Sequence, residues 1–413
     1  MLRGVSGKAP LVTHEEFLAE RYFRSLDGVR AVSILLVLSW HTNRSLLAWL
    51  SGWEGPSVFF VISGFLITTL CLREEHRDGA VSVTAFYVRR ACRILPLYFV
   101  VLAFYVIVDI GLNREGERRA LLHALPYYLS YMNDFAPTVG DGGTPFRVSW
   151  TLGVEEKFYL LWPLLAFVLL IGRPRARVIA AALFVLATIP AQRADGHYLP
   201  YGQIIVGCLL ALCLNARQPF ERLQTIAQRS WLVLAALVGV HVLMYVQGTV
   251  ASVLLGPAVA MAIAALVTTR PKWGRPLASR LMIYIGKRSY GVYLVNLVCL
   301  SGCVAVAHKL VPSVAFDAEN QPAADGAWVA TVVLFAALTM SSLFVAEFLY
   351  RALEAPMIAR GRAWSKRITG KRPIAPPRMT PQDDVAAEGA GAAQVQVEEI
   401  ARGVDAAAQP APR

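Results

Sequence analysis

Long apolar blocks such as Ile94–Leu112 and Ser252–Thr269 decide what this chain can fold into. Each is close to the roughly 20 residues that carry one helix across a bilayer. Inside hydrocarbon the backbone must satisfy its own polar groups, and a helix does so within a single segment. Composition agrees: 56% of residues are hydrophobic and 16% charged, against roughly 45–50% and 25% in a soluble domain. That excludes a soluble enzyme, a disordered chain and a nucleic-acid binder. The net charge of +12 belongs in loops and tails, because charge is expensive in hydrocarbon. The sequence describes an all-α, polytopic transmembrane bundle.

Apolar spans are expected near Val29–Leu50, Pro56–Leu72, Ile94–Leu112, Trp150–Ile171, Val178–Pro190, Leu199–Leu214, Trp231–Val246, Ala251–Thr269, Ile283–Ala307 and Ala327–Leu349. Loop charge orients them. With the N-terminus cytoplasmic, the Arg-rich stretches Arg73–Arg93, Arg173–Arg177, Asn215–Arg229 and Arg270–Arg288 all fall inside. The outer loops, chiefly Asn113–Ser149 and His308–Gly326, are mixed or mildly acidic. An eleventh apolar stretch, Leu121–Asn133, is short and rich in Tyr. Its crossing would move every later basic loop outside, so it reads as re-entrant or interfacial. The expectation is therefore about ten spans in the plasma (inner) membrane with both termini cytoplasmic.

Three regions follow: a cytoplasmic amphipathic segment at 1–24, a membrane domain at 25–358, and a tail at 359–413. Thr13–Arg30 is charged and amphipathic and reads as a surface helix feeding the first span, not a signal peptide. Arg360–Arg378 is a basic cluster of the kind that rests on anionic lipid headgroups. Beyond it the chain is rich in Pro, Ala, Gly and Gln and cannot bury a core. The six cysteines show no CxxC or CxxH spacing, so neither a zinc site nor a disulfide framework is expected.

Ionisable groups at membrane depth are the informative positions. In the first span Asp27, Arg30 and His41 share a helix face, Arg30 and His41 being three turns apart, about 16.5 Å of rise. A neutral imidazole accepts a proton from a hydroxyl near pH 7, so general base is the natural role of His41. Ser45 at i+4 continues that face. Ser63 and Gly64 supply a hydroxyl and a close approach in the second span, which helix packing explains equally well. Arg90 and Arg93, at i,i+3 before the third span, are either a topology anchor or a fork for phosphate oxygens. Glu155 and Glu156 open the fourth span, with Lys157 beside them as a candidate partner and Tyr159 one turn on. Ser289, Tyr290 and Asn296 line the entry of the ninth span, and an Arg351–Glu354 pair closes the tenth.

In this order the blocks resemble the acyltransferase-3 family of integral-membrane O-acyltransferases, over roughly Phe23–Pro356. The family's Arg-x10-His is met by Arg30 and His41, and its Phe-Phe-Val-x-Ser-Gly-Phe-Leu by Phe59–Leu66. Its Arg-x-x-Arg is met by Arg90 and Arg93, its Trp-Ser-Leu-x-Val-Glu-Glu-x-Phe-Tyr by Trp150–Tyr159 with Thr151 for Ser, and its Ser-Tyr-x-x-Tyr-Leu by Ser289–Leu294. Where the family commonly has a further His, this chain has Asn296, which orients a carbonyl but relays no proton.

The resemblance implies an acyl group, commonly acetyl, moving from cytoplasmic acyl-CoA to a hydroxyl of a carbohydrate, lipid-linked glycan or secreted metabolite. It implies His41 as base, Arg30 placing the donor, and Arg90 and Arg93 on the CoA phosphates. Acyl-CoA would be a co-substrate, with no tightly bound cofactor and no metal. The chain is expected to be the stand-alone form of the family, without the esterase-like domain that larger members carry after the membrane part. The alternatives are a proton-coupled transporter or flippase using His41, Glu155 and Glu156, and a non-catalytic scaffold.

Overall fold

The computed structural model describes residues 11–111, 115–136, 145–194, 199–246, 248–310, 316, 321–322 and 328–370. The expected unstructured tail, and parts of both long outer loops, lie outside the described residues. Among the described residues the fold is helical, with one isolated β-bridge between Phe316 and Pro322.

The helices, in chain order, are α1 (His14–Ala19), α2 (Arg24–Thr42), α3 (Gly55–Asp78), α4 (Val83–Gly111), α5 (Glu115–Leu129), α6 (Trp150–Leu164) and α7 (Pro174–Ala194). There follow α8 (Leu199–Asn215), α9 (Arg217–Ala227), α10 (Ser230–Val246), α11 (Gly248–Thr268), α12 (Arg280–Leu310), α13 (Trp328–Leu349) and α14 (Ala355–Thr369). Each of the ten expected apolar segments overlaps one of them, the first and fourth only in part. Among the described residues, five helices are long and apolar enough to cross a membrane, or six if the pair α8–α9, bent by 110°, is one span. α2 and α6 miss that measure for a reason tied to the site. α2 carries Arg24, Asp27 and Arg30, and α6 is 15 residues long with Glu155, Glu156 and Lys157 in it.

Four local features depart from expectation. α1 and α2 are separate, because α1 ends at Ala19 and Glu20 is extended; a Thr13–Glu16 capping box starts the short helix. α2 stops at Thr42 rather than near Leu50, with Asn43 extended. Ser45 therefore lies in a turn, off the face that carries His41, and the helical i+4 argument for a Ser–His pair fails. The stretch Arg73–Arg93 is mostly helix, leaving only residues 79–82 as a loop, closed by Gly79 at φ 79°. Two of its arginines are tied down, Arg89 to Glu74 at 2.9 Å and Arg77 to Asp78 at 2.6 Å, while Glu75 takes Arg177 at 2.6 Å. Finally, Asn215–Arg229 holds an amphipathic helix, α9, burying Phe220 and Ala227.

Two close helix crossings set the frame of the site. At the first, a Cβ on Gly64 of α3 would run into the Ile204 carbonyl of α8, and one on Gly207 would meet the Val61 carbonyl in return. Reciprocal small residues of this kind let membrane helices approach backbone to backbone. At the second, Gly286 of α12 packs on the Asp27 carbonyl of α2, and Gly28 on the Leu277 carbonyl. α14 is part of the same body. It lies along α4, with Gly361 against Cys92 and Ser365 accepting from Arg89 at 2.8 Å. The six cysteines are free thiols, Cys71, Cys92 and Cys208 being buried.

Candidate active site

A cavity of about 240 Å³ sits between α2, α3, α4, α6 and α12. It gathers most of the residues singled out from sequence: Asp27 and Arg30 from α2, Ser63 from α3, Arg90 and Arg93 from α4, Glu155 and Tyr159 from α6, and Ser289 and Tyr290 from α12. His41, Gly64, Glu156 and Asn296 are not in its lining.

The carboxylate of Glu155 is the anchor of the floor. Ser63 Oγ donates to its Oε1 at 2.8 Å, and Tyr159 Oη donates to its Oε2 at 3.3 Å, as the i,i+4 spacing predicts. Arg30 and Arg90 lie within electrostatic reach of it. Three guanidinium groups, Arg30, Arg90 and Arg93, line the same cavity. Among the described residues none of the three donates a hydrogen bond to the protein. Arg90 instead lies over the rings of Tyr159 and Phe86, at 5.1 and 5.7 Å, and Arg30 lies 6.0 Å from the Phe59 ring. Guanidinium donors left open to a cavity, with ring faces behind them, form a receptor for an anionic group.

α12 closes the opposite wall. Tyr290 Oη donates to the Ile94 carbonyl at 2.9 Å, and Thr151 Oγ1 donates to Tyr293 Oη at 3.0 Å, while Tyr293 Oη itself donates to the Val148 carbonyl. Ser289 is 1% exposed and its Oγ finds no partner among the described residues, so it is available to a ligand. Asn296 lies two turns beyond Ser289, fully buried, with its amide donating to the Tyr293 carbonyl at 2.5 Å and its Oδ1 unmatched among the described residues.

At the other end of α2, His41 occupies the last turn, half-buried, about 16.5 Å of helix rise from Arg30. Among the described residues none hydrogen-bonds its ring. The chain around it is held from outside: Asn43 Nδ2 donates to Thr331 Oγ1 at 3.0 Å, the Arg44 amide to Gln321 at 2.8 Å, and Trp40 packs edge-on against Trp53. Asp27 is engaged at the near end, where Tyr22 Oη donates to it. That contact, together with burial, raises the Tyr22 hydroxyl above its ordinary range, burial contributing most.

Two expected pairings are corrected. Lys157 does not pair with the neighbouring glutamates; it turns to Asp134, which also accepts from Tyr201 at 2.6 Å. Gly153 makes room for this, since a Cβ there would meet Asp134. Arg351 pairs with Glu347 at 2.5 Å rather than with Glu354. A π turn at Tyr350–Glu354 changes the helical register and turns Glu354 inward, where it is 5% exposed and faces Arg93 and Arg30. Sequence reasoning missed Glu354 as a site neighbour. The available signal was a carboxylate at the end of an apolar run, which needs a counter-charge at that depth.

Residues 23–351 match the acyltransferase-3 family, described as an acyltransferase domain. The chain belongs to this family. Among curated proteins it is 29% identical over 321 residues to the O-acetyltransferase OatA of Staphylococcus aureus, covering 68% of this chain and 51% of that one. It is 27% identical over 237 residues to the peptidoglycan O-acetyltransferase OatA of Listeria monocytogenes, covering 51% and 36%. The chain thus spans about half the length, or less, of the curated relatives it matches. No solved structure matches it.

Proposed function

We propose that the protein transfers an acetyl group from cytoplasmic acetyl-CoA to a hydroxyl of a cell-envelope glycan, with His41 as general base. The observation that carries the reading is the trio Arg30, Arg90 and Arg93, with no hydrogen-bond acceptor among the described residues, around one cavity. A phosphorylated donor supplies the missing acceptors, and Arg matches phosphate oxygens bidentately. The relatives named as O-acetyltransferases, one of them for peptidoglycan, favour acetyl as the group and a wall glycan as the acceptor.

In this mechanism the donor's phosphates rest on Arg90 and Arg93, with Arg30 beside them, and its acyl arm runs along α2 towards His41. His41 takes the proton of the acceptor hydroxyl as that oxygen attacks the thioester carbonyl carbon. The tetrahedral intermediate collapses with cleavage of the C–S bond, and the departing thiolate takes the proton back from His41. Ester and thiol are the products, and the base is restored. Ten crossings of the plasma membrane with both termini inside put the arginine end of α2 at the cytoplasm and His41 in the outer half. One helix then joins an inner donor to an outer acceptor.

The test is transfer by the purified full chain in proteoliposomes, from radiolabelled acetyl-CoA to soluble glycan fragments. Label should appear as an alkali-labile ester on the glycan. Glycan uptake or translocation without CoA, and without ester formation, would favour the transporter alternative.

A further inference from the structure

A second cavity, of about 540 Å³, opens beside the first. Its walls are the 20–25 link into α2, the last turns of α11, and the turns spanning 270–278. Tyr22 and Phe23 line both cavities, so the two share a wall. Three arginines, Arg24, Arg270 and Arg275, face it, and Glu20 is the one carboxylate in its described lining. Arg270 is held by Glu20 at 2.6 Å. Arg24 and Arg275 donate no side-chain hydrogen bond among the described residues.

A basic rim alone is what any cytoplasmic loop presents. This one differs because its backbone is fixed and concave. Gly28 sits so close to the Leu277 carbonyl that no Cβ fits, and a side chain on Gly274 would strike Leu266. Gln224 Nε2 donates to both the Val12 and Thr268 carbonyls, at 2.7 and 2.8 Å, tying the N-terminal segment to the end of α11. Arg270 itself has φ 44°, a left-handed conformation rare for a side chain of this size. Such a residue persists only where its surroundings over-determine it.

We propose that this second cavity is a phosphate-ester site, in which Arg24 and Arg275 hold the ester oxygens and Arg270 exchanges Glu20 for the ligand. Two sources present that chemistry. One is the 3′-phosphate of the donor nucleotide, whose diphosphate occupies the first cavity past the Tyr22–Phe23 wall; this source rests on the CoA reading above. The other is the headgroup of an anionic phospholipid.

The full chain in phosphatidylcholine nanodiscs should be titrated calorimetrically with CoA and with dephospho-CoA, which lacks only the 3′-phosphate. Phosphatidylglycerol retained by the protein should be counted in parallel by native mass spectrometry. If the nucleotide is the source, wild type prefers CoA by about tenfold, and Arg24→Gln/Arg275→Gln binds both nucleotides alike. If lipid is the source, wild type treats the nucleotides alike and the double variant loses most of its phosphatidylglycerol. A double variant unchanged in both readouts overturns the site. Glu20→Gln guards against misfolding, because freeing Arg270 should tighten the same ligand several-fold, and weaker or equal binding contradicts the proposal. Wild type that binds neither nucleotide contradicts the CoA reading alone, and the lipid arm then decides the cavity.

Discussion

Ser63 Oγ donates a 2.8 Å hydrogen bond to Glu155 Oε1, joining α3 to α6 across the floor of the main cavity. The bond from Tyr159 to the same carboxylate is longer, at 3.3 Å. Hydrogen bonds to charged groups contribute about 1.5–3 kcal/mol, less as they lengthen. Ser63→Ala should therefore lower the thermal midpoint of the detergent-solubilised protein clearly more than Tyr159→Phe does. Equal losses would mean that the two hydroxyls do not hold Glu155 as described.

The crossing of α3 and α8 depends on two glycines meeting opposite carbonyls. Gly64→Ala and Gly207→Ala each force the backbones apart, and overpacking of this kind costs about 1–3 kcal/mol. Gly302→Ala, at an open position on α12, is the control and should be neutral or slightly stabilising through helix propensity. Thermal denaturation of the three variants separates a packing requirement from a general intolerance of substitution.

Lys157 and Asp134 form a partly buried pair, with the Asp134 side chain 1% exposed. Breaking such a pair from one side leaves an uncompensated charge and costs about 3–5 kcal/mol. Lys157→Met should destabilise strongly, and adding Asp134→Asn should recover much of the loss. If the double variant is no more stable than Lys157→Met, the pair is not what holds Asp134.

Glu354 and Arg351 make opposite predictions despite their proximity in sequence. Arg351 is exposed and bonded to Glu347, so Arg351→Gln should change stability by no more than about 1 kcal/mol and leave donor affinity alone. Glu354 faces Arg93 and Arg30 from within. Glu354→Gln removes negative charge from beside the proposed donor site and should tighten an anionic donor several-fold while lowering the stability of the empty protein. Calorimetric titration with CoA and a thermal scan read the two effects separately, and weaker donor binding would contradict this placement.

Helix positions were legible because apolar blocks of span length leave the backbone no alternative. The i,i+4 pair Glu155–Tyr159 and the placing of Arg90 and Arg93 on one cavity were legible for the same reason: local spacing on a helix fixes them. What failed was every inference about which neighbour a charge chooses. Lys157 has two glutamates adjacent in sequence yet reaches Asp134 on another segment, and Glu354 escapes Arg351 through a π turn that no periodicity announces. The end of α2 was hidden too, since residues 43–50 remain apolar enough to continue a helix, and the turn there is set by contacts with Thr331 and Gln321. The second cavity is assembled from two distant stretches, 20–25 and 266–278, and had no sequence signature.

In the proposed mechanism His41 drives acetyl transfer from the far end of the helix that begins beside the arginines. Mass spectrometry of cell-wall and other surface glycans, from host cells with the gene intact, deleted or carrying His41→Ala, tests it most directly. The expected result is one acetyl increment on a glycan that disappears alike in the deletion and in His41→Ala cells with undiminished levels of the protein. An increment lost on deletion but retained with His41→Ala would contradict it.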